Sequence, residues 1–243
     1  MNRNSLPGKT MTRIGAVLPS VNTVIEPLYW RSLPSEISLH SARVFLSSPL
    51  TAAGLIAMRD QVVQAGRCLA SCRVSVVVYL CTASGFADDA ASDQRAMEEL
   101  EAAVGVPVVT VVDAIESACE RLGVSNVILI SPYSAEFERS EIEMFDGRGI
   151  RAVAHQSLGI VDPFELASPR PHEIAELVRK TWRDDADSIL ITCANLRSQE
   201  VIAELEQKFG VPVITSTQAP LWLALRTVGI RDSLLGWGKL FSL

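Results

Sequence analysis

Short apolar runs rich in β-branched residues recur at Ile14–Leu18, Val74–Leu80, Val106–Val109, Val127–Ile130, Ser188–Thr192 and Val211–Ile214. Between them lie stretches with apolar positions at helical spacing, such as Asp93–Val104 and Glu200–Phe209. A run like VSVVVYL, apolar on both sides, fits a strand buried on both faces, and the alternation of strand and helix predicts mainly parallel sheet flanked by helices. The pattern places the chain in the α/β class.

One sequence of events occurs twice. In the first half VSVVVYL runs into Cys81, a Glu-rich helix follows, then GVPVVT at Gly105–Thr110, then a helix closing at Leu122-Gly123-Val124. In the second half SILIT runs into Cys193, followed by a Glu-rich helix, GVPVIT at Gly210–Thr215, and a helix closing at Val228-Gly229-Ile230. GVPV[VI]T alone marks only a common helix-to-strand connection, with Gly ending the helix and Pro opening the strand. The shared order of cysteine, helix, phrase and closing Gly points instead to a duplicated lobe. Residues 1–12 are expected to form a flexible leader, 13–112 with 217–243 one lobe and 113–216 the other. The active site is expected in the cleft between them.

Composition narrows the function. With 243 residues and 48% hydrophobic content, the chain can bury a large core. A net charge of -6 offers no basic stripe for a phosphate backbone, so nucleic acid is set aside. No apolar run reaches membrane-spanning length and no secretory signal opens the chain, so the protein is expected in the cytoplasm, away from membranes. Five cysteines there are expected as free thiols. Cys68, Cys72 and Cys119 read as packing residues. The isolated His40, His155 and His172 suggest no metal. GxGxxG, GxxxxGK[ST], HExxH and GxSxG patterns do not occur, so no cofactor is expected.

In open α/β sheets, ligands gather beyond the carboxyl ends of strands. The segments there are Pro19–Thr23, Cys81–Ser84, Ser131–Ser134 and Cys193–Asn195, each expected to precede a helix whose free N–H groups favour a carboxylate. The same dipole is expected to bring the thiols of Cys81 and Cys193 from about 8.5 toward neutrality. Two such thiols across a cleft can act on opposite faces of one carbon.

At these residues the chain resembles the aspartate/glutamate racemase superfamily, in the branch of maleate cis-trans isomerases and arylmalonate decarboxylases. The resemblance rests on the Pro19-Ser20-Val21-Asn22-Thr23 loop with Glu26, Cys81-Thr82, Pro132-Tyr133, a Ser157-Leu158-Gly159-Ile160 strand, Cys193, GVPVIT and the closing Gly236–Phe241. It implies a cofactor-independent isomerase acting on a small carboxylate or dicarboxylate, with Cys81 and Cys193 catalytic. Racemisation, decarboxylation and non-catalytic carboxylate binding remain the alternatives. Decarboxylases of the branch keep the second cysteine and have glycine where Cys81 stands. The resemblance also implies substrate contacts from Ser20, Asn22 and Tyr133, an oxyanion cradle from Thr82 and the N–H groups of Ala83 and Ala194, and a homo-oligomer. Asn22 could instead cap the next helix, Tyr133 could be packing, and Ser20 and Thr215–Thr217 could be caps or strand ends. Isomerases of the branch carry asparagine where this chain reads Asp162-Pro163. Aspartate there would repel a second carboxylate unless it simply closes a surface turn.

Overall fold

The computed structural model describes residues 11–88 and 90–243, so most of the expected leader lies outside the described residues. Eight strands form two four-stranded parallel sheets. They are β1 (Thr12–Pro19), β2 (Ile37–Val44), β3 (Val76–Tyr79), β4 (Val108–Thr110), β5 (Asn126–Ser131), β6 (Arg151–Ser157), β7 (Ser188–Ile191) and β8 (Val213–Thr215). Their spatial orders are β2-β1-β3-β4 and β6-β5-β7-β8, the same winding twice. The chain enters each sheet at an inner strand, so the winding reverses between β1 and β3 and again between β5 and β7. At such a switch point the loops diverge and leave a crevice.

The helices are α1 (Ile25–Ser32), α2 (Ala52–Arg59), α3 (Val62–Ser71), α4 (Ala90–Val104), α5 (Val111–Leu122), α6 (Ala135–Asp146), α7 (Pro171–Thr181), α8 (Ile202–Phe209) and α9 (Ala219–Thr227). Helices α5 and α9 pack on each other and reach both sheets, α5 touching β4 and β8, α9 touching β3 and β4. A single apolar core therefore joins Ile14, Val76 and Val109 of one sheet to Val127, Leu190 and Ile214 of the other. No helix among the described residues is long and apolar enough to cross a membrane.

The repeated phrase has a repeated structural cause. Gly105 and Gly210 end α4 and α8 with φ of 70° and 74°, a left-handed turn that glycine adopts at little cost. The carbonyls of Pro107 and Pro212 then accept from Val77 and Ile189, which sets each outer strand in register. Thr110 and Thr215 finish the strands, their hydroxyls accepting from the N–H groups of Asp113 and Gln218 at the start of the next helix.

Three expectations change, the first being that Cys68 and Cys72, read as packing residues, are exposed. The Ser157–Ile160 strand ends at Ser157. Leu158, Gly159 and Ile160 instead form a strap, donating to the carbonyls of Ser131, Tyr133 and Pro132 at 3.1, 3.0 and 2.9 Å. Strand β1 opens at Thr12, inside the segment read as leader, because Thr12 N–H finds the Glu36 carbonyl at 3.0 Å.

Candidate active site at the junction of the two sheets

The loops after β1, β3, β5 and β7 meet around one cavity with about 360 Å³ of empty space, its mouth included. Cys81 and Cys193 both line it, one from each sheet, together with Asn22, Thr82, Ala83, Tyr133, Ala194 and Asn195. The remaining wall is apolar: Pro19, Val21, Leu46, Leu50, Leu55, Leu80, Pro163 and Leu166. No lysine, arginine or histidine is among the lining residues.

The junction is held by a reciprocal pair of asparagines. Asn22 donates its amide N–H to the Ala194 carbonyl at 3.0 Å, while its oxygen accepts from the N–H groups of Val24 and Ile25. Asn195 answers from the other sheet, its oxygen accepting from Thr23 N–H at 2.9 Å and its nitrogen donating to the Pro163 carbonyl at 3.3 Å. Asn22 thus performs the capping role, and one amide hydrogen remains for a ligand. Asn195 closes the Cys193–Asn195 segment expected near a ligand, but no role for its side chain was read from the sequence. Its only signal was its place two residues after Cys193. A second clasp joins Thr82 Oγ1 to Ser216 Oγ at 3.0 Å.

Other expected residues divide. Ser20 does not line the cavity, because its hydroxyl accepts from Leu46 N–H at 3.1 Å and fixes the following loop. Thr217 is buried in a hydroxyl chain with Ser198 and Thr215. Among the described residues no protein acceptor takes the N–H of Ala83 or Ala194, so both donors are available to an oxyanion. Asp162 is exposed, accepts from Phe164 N–H at 3.1 Å and does not line the cavity. The wall carries Pro163 instead, so the expected repulsion by aspartate has no place to act.

The expected thiol activation is reversed. Cys81 keeps partial exposure, yet burial pushes its thiol up to about 12, against the opposing help of Ser84 N–H and the Tyr79 hydroxyl. Burial likewise pushes Cys193, 3% exposed, up to about 12, against the Tyr133 hydroxyl and Asn195 N–H. The reason is local structure. The cysteines precede short 3-10 turns, Ala83–Phe86 and Ser198–Val201, rather than long helices. Desolvation therefore outweighs the few dipoles available. The helix N-termini at α1 and α6 are also occupied, capped by Asn22 and by Ser134. Among the described residues no three His, Cys, Asp or Glu side chains gather as a metal site.

Residues 30–241 match the family model for arylmalonate decarboxylase. The chain belongs to that family. It is 26% identical to the arylmalonate decarboxylase of Bordetella bronchiseptica, across 93% of this chain and 98% of that one. It is 23% identical to the maleate isomerase of Geobacillus stearothermophilus, across 95% and 97%. The fold is shared with a Nocardia farcinica maleate cis-trans isomerase variant holding a covalently bound succinylcysteine intermediate, with a TM-score of 0.88 and 21% identity over 95% of this chain and 98% of that one.

Cys193 adopts φ of 81°, left-handed for a residue with a side chain. That conformation costs an L-residue roughly 1–2 kcal/mol and aims the residue where an ordinary strand end would not. Cys193→Gly is therefore expected to be more stable than Cys193→Ala by about 0.5–1 kcal/mol in denaturant unfolding, after glycine's greater unfolded-state entropy is deducted. Equal stabilities would contradict the strain. Asn22→Ala strands two N–H groups and a carbonyl at the junction. A loss of about 2 kcal/mol is expected in the same assay, against less than about 0.5 kcal/mol for a side chain that merely lines the wall.

Proposed function

We propose that this chain is a cofactor-independent isomerase of a small carboxylate, with Cys81 and Cys193 acting on opposite faces of the substrate. The observation that carries the reading is that both thiols line one cavity, each delivered by the equivalent strand end of its own sheet. The maleate isomerase relatives support an isomerase over other uses of the same pair.

In this reading the substrate carboxylate lies at the polar end of the cavity, against the N–H groups of Ala83 and Ala194, while the Thr82 hydroxyl beside them gives its hydrogen to Ser216. One thiolate either adds to an unsaturated carbon or takes an α-proton. The electron pair moves onto the carboxylate as an enediolate, and these donors oppose its growing charge. In the addition route the C–C bond turns before the sulfur leaves. In the proton route the opposite thiol returns a proton to the other face. The thiol that attacks must lose its proton to solvent as the substrate binds while the other stays protonated, and the Tyr133 hydroxyl is placed to stabilise a thiolate at Cys193.

The apolar wall bears on the substrate. A second carboxylate would meet leucines and Pro163 without a cation, so the far end of the substrate is apolar or neutral rather than charged. The same wall favours one competing reading, decarboxylation, since a carboxylate pressed against it is destabilised and loses charge by releasing carbon dioxide. That reaction needs a proton only from Cys193.

Incubation with a panel of small unsaturated acids, amino acids and substituted malonates in deuterated water, followed by NMR, distinguishes these. Isomerised or deuterium-exchanged product is expected, with turnover lowered at least about a thousandfold in both Cys81→Ala and Cys193→Ala. Full turnover in either variant sinks the two-thiol reading. Carbon dioxide release that survives Cys81→Gly establishes the decarboxylase reading in its place.

A further inference from the structure

Each thiol has an acidic side chain behind it, and the two acids are treated differently. Behind Cys81 stands Asp93 on α4, its carboxylate meeting the buried Arg59 guanidinium at 3.4 Å and Ser84 Oγ at 3.4 Å. Behind Cys193 stands Glu141 on α6. It is 0% exposed, and neither carboxyl oxygen has a hydrogen-bond partner among the described residues. Ser131 Oγ, at the end of β5, is likewise buried without a partner. The Ser131 and Thr192 hydroxyls flank the Glu141 carboxyl, and Thr192 immediately precedes Cys193. No salt bridge reaches Glu141 among the described residues.

The groups that bear on Glu141 are neutral or acidic, the Ser131 and Thr192 hydroxyls favouring its anion and Glu138 opposing it. On α6 it faces Glu138, whose carboxylate is already engaged by His155 of β6 at 3.1 Å. Its charge bears on Tyr133 of the loop after β5 and on Cys193 of the loop after β7, raising both. An anion at Glu141 therefore has only like charges to meet whenever a thiolate forms. Burial accordingly pushes the Glu141 carboxyl up to about 8.

We propose that Glu141 is a positioning acid for Cys193: held neutral in the interior behind Tyr133, it leaves that thiol free to lose and regain a proton, and on ionising it locks the thiol in its protonated form. Glu141 acts by charge, and no proton passes through it. Asp93, paired with Arg59, also raises the Cys81 thiol, but it lacks the unpartnered burial of Glu141, so the two acids are set up differently. The functional meaning rests on the two-thiol reading, but the test reads only the titration of one sulfur.

The experiment is the rate of iodoacetamide alkylation of Cys193 from pH 6 to 10 in the full chain, resolved by peptide mass spectrometry so that exposed Cys68 and Cys72 do not interfere, in the native protein and in Glu141→Gln. Below about pH 7 both proteins carry a neutral side chain at 141, and the rates are expected to coincide. Above about pH 8 the native carboxyl ionises and opposes the thiolate, so Glu141→Gln is expected to react about tenfold faster. A constant ratio at every pH, or superimposable curves, overturns the proposal, because a purely structural effect on access has no pH dependence. Should Glu141→Gln fail to fold, infrared spectroscopy of the native protein reads the same acid. A protonated carboxyl band present at pH 7 and lost near pH 8 is expected, and its absence at pH 7 overturns the proposal.

Discussion

The site depends on the clasp between Asn22 and Asn195. Asn22 serves its own loop and the opposite one, and Asn195 ties the loop after β1 to that after β6, so the carboxyl end of β1 cannot move relative to that of β7 without leaving buried polar groups unpaired. The cavity exists because two parallel sheets of identical winding meet at their switch points, and the clasp fixes how closely they meet. The Thr82–Ser216 hydrogen bond repeats the arrangement one strand along. Together these contacts turn a pair of equivalent strand ends into a fixed pair of thiols.

Within that frame the electrostatics favour neutral groups at rest. Apolar walls raise both thiols, and the one acid behind Cys193 remains uncompensated while the acid behind Cys81 has Arg59. Under the proposed function, a cavity built this way would hold its substrate's charge at a few backbone donors and keep the remainder dry, where each dipole counts for more. The left-handed backbone of Cys193 is the cost of delivering a sulfur into it.

Much of the fold was legible because buried parallel strands read as unbroken apolar runs, and because GVPV[VI]T fixes a helix end, a register and a cap together. Strands β2 and β6 were missed for the same reason inverted. As sheet edges they alternate with polar and charged residues, and β6 has no fully buried position. Cys81 and Cys193 were legible as strand ends, and the structure brings them to one cavity. Asn195 and Glu141 were not, since their roles come from contacts across 172 and about 50 residues of chain, respectively, that no local pattern announces. The thiol activation was misjudged because sequence shows a helix after each cysteine but not its first turn, nor how deeply the sulfur lies.

The central claim is that one ligand occupies both thiols at once. Its most direct measurement is peptide-resolved alkylation of Cys81 and Cys193 in the intact protein at increasing concentrations of a small carboxylate that the enzyme turns over. Protection of both cysteines with the same half-saturating concentration is expected, while exposed Cys68 continues to react. Protection of one thiol alone, with the other reacting as in the free protein, would contradict a shared site.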